Sequence, residues 1–282
     1  MTAIRIIVLA ITMLILGTSA FCNDPSPEEI LNKVVATYKS MKTYKAEGTR
    51  YPDYLEKENI KQGIPFSILM KKPNLYLISW TLPYKRPDMD KSFVVWSDGT
   101  QPYLAGWGAY SCFKMPSDEI AFDGAAQNHG PLRMPFIIMS IFKGYDDPFY
   151  WLGDPKLEKI EKIGGEDCYV ISGTSAISKR VAIWVSKTSY LIRKYYYAPD
   201  RLKMIKEDPR IKDKERKSEI EKYKRGLLPE LKIEVEVYKE ISSPELNQSD
   251  FKYILPEGTT CHDWPKNTGK RLDYILFMEQ RK

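Results

Sequence analysis

The spacing of apolar residues along the chain predicts one helix followed by many strands. From Ile30 to Met41 the apolar residues recur every three or four positions, as on one face of an α-helix. Ser26 and Glu29 can form a capping box around Pro27, which suits the first helical position, so the helix is predicted to begin there. Beyond it, short runs rich in β-branched and aromatic residues predict strands.

These predicted strands form two groups. The first group is Ile64–Met70, Leu75–Leu82, Phe93–Trp96 and the pair Tyr103-Leu104. The second group is Leu157–Ile163, Cys168–Gly173, Val181–Val185, Tyr190–Tyr197 and Leu231–Ile241, with Phe251–Leu255 closing the sheet region. The turn pair Asp98-Gly99 predicts a hairpin in the first group. No alternation of strand and helix is visible, so the predicted fold class is mainly β (α+β), with a single large antiparallel sheet curled around helices.

Two other segments do not read as strands. Residues 131–142 are too few to cross a bilayer, which takes about 20 apolar residues, and too apolar to lie open to water. We expect them to form a helix that is covered on most of its surface or lines a cavity. Residues 206–225 carry charges of both signs and hardly any apolar residue, so they predict a solvated helical insertion at about 200–228. A docking arm for an acidic partner or anionic lipid is the alternative for this insertion.

The N-terminus has the pattern of a signal peptide over residues 1–20. Arg5 is followed by the apolar run Ile6–Leu16 and by small residues that end at Ala20. We therefore expect an exported, periplasmic protein whose mature part, residues 21–282, is a single domain. Cys22 raises the possibility of a lipid anchor, but bulky Phe21 stands where a lipidation signal has a small residue, so this alternative is disfavoured.

Composition changes the picture in three respects. Lys and Arg exceed Asp and Glu by 43 to 37, and this surplus of +6 is too dilute to predict nucleic-acid binding. The abundance of Tyr and Trp, 19 and 6, favours strand surfaces. An oxidising destination permits disulfides among Cys22, Cys112, Cys168 and Cys261, and the spacing does not choose between the pairings.

Catalytic and metal-binding motifs are weak. Ser111-Cys112-Phe113-Lys114 matches the S-x-x-K pattern of penicillin-interacting enzymes, but the partner motifs are in the wrong order or missing. There is no G-x-S-x-G elbow, no P-loop and no C-x-x-C pair. The chain has only two His residues, His129 and His262, which are far apart in sequence. We therefore expect no enzymatic activity, no cofactor and no metal site.

Several segments together resemble the outer-membrane lipoprotein carrier superfamily (LolA/LolB-like), in particular an uncharacterised exported branch. They are the signal segment, Glu28–Leu31 with Tyr38 and Tyr44, Lys72–Tyr76, Trp96–Gly99, Gly165–Val170 and Ala182–Val185. The similarity runs from about Glu28 to Gly258 and consists of the pattern of apolar positions and the placement of turns. It implies an open half-barrel with helices on its concave face. In the carriers, that face holds a lipoprotein's acyl chains.

The resemblance and the residues lead to two hypotheses of function. The first is a non-enzymatic, monomeric carrier or binding protein that shelters an apolar ligand, such as a lipid or a lipoprotein acyl chain. The second is an envelope protein that uses the same scaffold to bind a protein partner or to sense stress. For the first hypothesis the candidate cavity residues are large and apolar and lie in the strands and in the apolar segment. They are Trp80, Trp96, Phe136, Ile137, Ile138, Ile141, Phe142 and Trp184.

Overall fold

A computed structural model describes residues 24–52, 63–84, 91–106, 111–131, 133–175, 177–207, 211–228 and 233–264. The predicted signal peptide and Cys22 lie outside these residues. The N-terminal half contains α1 (Pro27–Ser40), β1 (Thr43–Pro52), β2 (Ile64–Lys71), β3 (Leu75–Leu82), β4 (Lys91–Asp98), β5 (Pro102–Ala105), β6 (Ser111–Lys114), α2 (Asp118–Gln127) and α3 (Met134–Lys143). The C-terminal half contains β7 (Gly153–Ile163), β8 (Glu166–Ser175), β9 (Ser178–Ser186), β10 (Ile192–Pro199), α4 (Arg201–Glu207), α5 (Asp213–Lys224), β11 (Glu234–Ser242), a 3₁₀ turn (Gln248–Phe251) and β12 (Thr260–Asp263).

All of these strands belong to one open 12-stranded sheet, in the order β12-β6-β5-β4-β3-β2-β1-β11-β10-β9-β8-β7. Two antiparallel meanders, β1–β6 and β7–β11, meet where β1 pairs with β11. The predicted single large sheet with helices is thus confirmed. One detail differs, because β12 pairs with β6 in parallel at one edge. A second correction concerns Phe251–Leu255, which passes over the sheet and forms no strand in it.

The first helix begins as the sequence predicts. The Glu29 amide donates to Ser26 Oγ at 3.1 Å, and the Ser26 amide donates to the Glu29 carboxylate at 2.9 Å, so the capping box is complete. Tyr38 fixes the helix to the sheet, because its buried hydroxyl accepts a hydrogen bond from the Ile192 amide at 3.0 Å. Burial raises the pKa of Tyr38 well above its ordinary value, so this hydroxyl stays neutral.

Helices α1, α2 and α3 pack against one face of the sheet, which we call the inner face. The apolar segment forms α3 and contributes Ile137, Ile138, Ile141 and Phe142 to the main core. A left-handed Gly144 ends the helix, with φ of 79°. The expectation of a largely covered helix is therefore confirmed.

Two buried charged residues, Arg50 and Glu236, lie on the inner face where β1 meets β11, which the sequence pattern did not indicate. Glu236 on β11 is fully buried, whereas Val235 and Val237 on the same strand are half-buried on the opposite face. Arg50 on β1 is 3% exposed and donates to the Glu234 carboxylate at 2.9 Å. These groups are stable in the interior because buried charges are paired or hydrogen-bonded there.

Arg50 also ties the sheet to the helices. Its guanidinium donates to the Ala126 carbonyl at 3.0 Å and to the Gly130 carbonyl at 2.6 Å, at the C-terminal end of α2. Carbonyls in the last turn of a helix have no partner within the helix, so a cation there satisfies them. Arg50 therefore connects β1, β11 and α2 through one side chain.

The predicted charged insertion contains α4 and α5. Helix α5 has no buried residue, whereas α4 buries Ile205 and its Lys203 donates to the Ser175 carbonyl at 3.0 Å. The solvated part of the insertion is therefore α5. The alternative, a docking arm for an acidic partner or anionic lipid, stays a prediction.

Replacing the 12 residues of α5 by a Gly-Ser linker of equal length should leave the melting temperature within about 4 °C of the parent. The reason is that α5 buries no apolar side chain that the linker would remove. Differential scanning calorimetry would measure the change. The same replacement of α3 is the matched control and should unfold the protein. An α5 variant as unstable as the α3 variant would show that α5 has a structural role.

Candidate functional site

The structure places the three predicted cavity tryptophans in three separate clusters. Trp80 lies in the main core on the inner face, where it stacks on Phe93 with ring centroids 5.4 Å apart. Trp96 and Trp184 lie in two smaller clusters, in the N-terminal and C-terminal meanders respectively. Neither tryptophan is brought together with Trp80 or with the residues of α3, so the eight predicted residues do not line one cavity.

The inner face is filled rather than hollow. The four α3 residues Ile137, Ile138, Ile141 and Phe142 are all under 9% exposed and belong to the main core. Phe136 lines a small cavity of about 80 Å³ beside Arg133 and Trp151. Ligand pockets for small molecules usually measure about 300–1,000 Å³. This cavity is too small for an extended ligand.

The opposite, outer face of the first meander carries a much larger groove, of about 830 Å³. Its floor is a row of cross-strand neighbours: Lys114 on β6 pairs with Tyr103 on β5, and Tyr103 pairs with Trp96 on β4. Leu75 on β3 continues the floor. Adjacent strands lie about 4.8 Å apart, so three strand spacings give this floor a length of about 14 Å.

The second wall of the groove is the segment from Ser243 to Cys261, which we call the strap. The strap leaves β11, crosses the outer face and ends at β12. At its start, Ser243 donates to the Thr43 carbonyl at 2.7 Å, and Lys71 donates to the Leu246 carbonyl at 2.6 Å. At its end, Cys261 forms a disulfide with Cys112 of β6. The strap is therefore fastened to the sheet on both sides of the groove.

Aromatic rings line the space between strap and sheet. Trp96 stacks on Tyr103 with centroids 4.9 Å apart and contacts Tyr253 of the strap at 5.1 Å. Phe251 is 2% exposed and anchors the strap, while Tyr253 and Leu255 remain partly exposed along it. Rings in this arrangement present a broad apolar surface with a polar tip at each tyrosine.

Two ionisable side chains at the groove, Asp98 and Tyr103, have shifted pKa values. Asp98 is committed to its own turn, because one carboxylate oxygen accepts from the Thr100 amide, the Thr100 hydroxyl and the Gln101 amide at 2.7–3.0 Å. Burial alone would raise the pKa of the Asp98 carboxyl, but these hydrogen bonds outweigh it and hold the pKa below its ordinary value. Burial and the Asp98 charge together raise the pKa of Tyr103, so its hydroxyl is neutral.

The three cysteines in the described part of the chain divide into a pair and a buried thiol. Sequence spacing left the pairing open, and the structure selects Cys112–Cys261. Cys168 is a free, fully buried thiol on β8. Burial raises the pKa of its thiol to about 11, which makes it a poor nucleophile at neutral pH.

The described residues contain no cluster of three or more His, Cys, Asp or Glu side chains that could hold a metal ion. Within the same residues, none of the helices has both the length and the apolarity needed to cross a bilayer. His262, with Asp263, lies exposed on β12 at the sheet edge. The arrangement at the groove is suited to holding an apolar molecule by shape and contact.

The chain has structural neighbours among solved proteins. No family model and no curated protein matches the chain. An uncharacterized conserved protein from Thermus thermophilus is similar in structure at 9% identity and a TM-score of 0.47, covering 84% of this chain and 98% of its own. LprF from Mycobacterium bovis is similar in structure at 10% identity and a TM-score of 0.43, covering 83% of this chain and 97% of its own. A LolA superfamily protein from Nitrosomonas europaea is similar at 11% identity and a TM-score of 0.32, covering 81% of this chain and 98% of its own. The predicted resemblance to a LolA-like fold stays a prediction from the sequence.

The sequence predicted a residue on only one side of the groove, the floor formed by the sheet. Trp96 was among the predicted ligand residues and does line it, but Tyr253 and Leu255 were assigned to the sheet. Their one visible signal was the run of turn-forming residues Pro256-Glu257-Gly258 directly after them, which does not distinguish a strand from a strap.

Proposed function

We propose that this protein is an exported, non-enzymatic binding protein that holds an elongated apolar ligand, such as an acyl chain, in the outer groove. The observation that carries the proposal is the groove of about 830 Å³ whose lining includes Trp96, Tyr103 and Tyr253. This volume lies within the usual range for ligand pockets, and the lining includes the aromatic residues Trp96, Tyr103, Phe251 and Tyr253.

Burial of an acyl chain supplies enough free energy for this role. Each methylene removed from water contributes about 0.8 kcal/mol, so eight of them would contribute about 6 kcal/mol before the cost of association. The disulfide and the hydrogen bonds at Ser243 and Lys71 hold the strap in place before a ligand arrives. A site that is already assembled loses less conformational entropy on binding.

Diphenylhexatriene, a neutral apolar probe that fluoresces in apolar surroundings, would test the proposal by titration. Tyr253→Ala and Trp96→Ala should each weaken probe binding about tenfold, which corresponds to about 1.4 kcal/mol of lost ring contact. Trp184→Ala is the matched control, because Trp184 is 5% exposed and Trp96 7%, but Trp184 lies in a different cluster. Binding unchanged in both groove variants, or weakened equally in Trp184→Ala, would contradict the proposal.

Native mass spectrometry of the purified protein gives an independent measurement. A lipid that co-purifies with the parent protein and is lost in Tyr253→Ala would support the proposed function. The same lipid retained in Tyr253→Ala would place its site elsewhere in the molecule.

A further inference from the structure

We infer that two copies of this protein associate through β7, the last strand of the sheet, by antiparallel pairing of one β7 with the other around Ile160. Among the described residues, β7 is paired on one side only, with β8. None of its 11 residues is buried, and Ile160 is 45% exposed. The free side of an edge strand presents N–H and C=O groups that a further strand can satisfy. The inference goes beyond the proposed function, since the outer groove lies in the other meander, and departs from the monomer expected from the sequence.

The side chains of β7 around Ile160 are charged on one face of the sheet and apolar on the other. Lys159 is paired in register with Val170, which belongs to the smaller cluster around Trp184, outside the main core. Successive residues of a strand point to opposite faces, so Glu161 shares the outer face with Lys159, and Ile160 between them points to the inner face. The pairing with β8 is regular from residue 159 to 163, so this stretch can continue the sheet into a second copy.

Two antiparallel copies of this stretch match in charge when they are centred on Ile160. Lys159 of each copy then lies opposite Glu161 of the other, and the two Ile160 side chains meet on the inner face. A shift in either direction that keeps the faces aligned would place Lys159 opposite Lys159, or Glu161 opposite Glu161. Opposite charges directly across two strands stabilise their pairing, whereas like charges destabilise it. Charges that discourage pairing with an unrelated strand therefore favour a second copy of this chain.

Within one copy these two charges are already adjacent. Lys159 Nζ lies 2.5 Å from Glu161 Oε1, and the Trp184 indole donates to the other oxygen of the Glu161 carboxylate at 2.5 Å. The hydrogen bond from Lys159 and the one from Trp184 lower the pKa of Glu161, so its carboxylate is charged at neutral pH. In the dimer, two such pairs would form a square of alternating charges around the two-fold axis. Each charge then has two neighbours of opposite sign, in a contact that is identical for both copies.

Sedimentation equilibrium over a range of protein concentrations would test the inference. The parent protein should dimerise reversibly, because a contact between two short strand segments is small and does not make an obligate dimer. Lys159→Glu and Glu161→Lys should each raise the dissociation constant of the dimer at least about tenfold, because each places like charges opposite one another. Lys179→Glu makes the same change of charge at an exposed position on β9, and this control should dimerise as the parent does.

An equimolar mixture of the Lys159→Glu and Glu161→Lys variants is the deciding sample. The first variant carries two glutamates on the outer face of β7 and the second carries two lysines, so each variant repels its own copy and matches the other. The mixture should therefore dimerise about as tightly as the parent. A failure to fold cannot produce this result, which matters because Glu161→Lys also removes the acceptor of the Trp184 indole.

Three outcomes would overturn the inference. A parent protein that stays monomeric up to about 1 mM does not form this contact. Dimerisation of both single variants at the parent level would place the contact elsewhere in the molecule. A mixture that stays as dissociated as its two components would show that charge matching across β7 does not hold the dimer together. Because β7 lies outside the outer groove, each of these failures would leave the proposed function unaffected.

Discussion

Replacing Arg50 by alanine is expected to lower the free energy of unfolding by about 3–5 kcal/mol. The substitution leaves the Glu234 carboxylate without its partner at 2.9 Å and removes the donor from the carbonyls of Ala126 and Gly130. Arg50 is 3% exposed, so water cannot replace the guanidinium without opening the contact between the sheet and α2.

Urea unfolding followed by circular dichroism would measure this loss. Arg180→Ala is the matched control, because Arg180 also pairs with a glutamate, Glu158, but the two side chains are 42% and 33% exposed. Exposed pairs contribute about 0–1 kcal/mol, so the control should change stability little. Equal, small effects of the two substitutions would show that Arg50 does not hold β1, β11 and α2 together.

Removal of the disulfide by Cys112→Ser with Cys261→Ser is expected to cost about 2–5 kcal/mol and to weaken probe binding in the groove. The bond joins two cysteines with a sequence separation of 149. It restricts the conformational entropy of the long segment between them in the unfolded chain, and this stabilises the folded state. Without it, the strap keeps its hydrogen bonds at Ser243 and Leu246 but loses the covalent fastening on the far side of the groove.

Cys168→Ala provides the comparison for this pair. It leaves the disulfide intact, lies outside the groove and should keep probe binding at the parent level. In the folded parent, iodoacetamide at neutral pH should label neither the disulfide nor the Cys168 thiol, whose pKa burial raises to about 11. Probe binding that survives disulfide removal would show that the hydrogen bonds at Ser243 and Leu246, together with the pairing of β12 with β6, position the strap.

Local patterns in the sequence determined the parts of the fold that depend on neighbouring residues. Ser26 and Glu29 specify the start of α1, and Asp98-Gly99 specifies the β4–β5 hairpin, in which Gly99 has φ of 99°. The density of apolar residues in 131–142 was enough to predict a covered helix. Each of these features is decided within a few residues, because capping, turns and helical burial are short-range.

The face to which each strand side chain points was decided only by the tertiary structure. Strand β4 is buried on both faces from Phe93 to Ser97. Its sequence pattern therefore does not show which residues point inward, and Trp96 could not be assigned to the inner or outer side. On β11 the parity was visible, but it is Glu236 and not Val237 that faces inward. A shift of one residue exchanges the two faces of a strand, and the choice depends on partners distant in sequence, here Arg50.

The sequence by itself thus determined the β-rich class, the first helix, the apolar helix and most of the strands. Only the tertiary structure decided that β1 meets β11, that Cys112 pairs with Cys261 and that the strap crosses Trp96 to form a groove. These contacts join residues far apart in the chain. They are selected by the packing and hydrogen bonding of the whole sheet, which no local pattern of apolar and polar residues encodes.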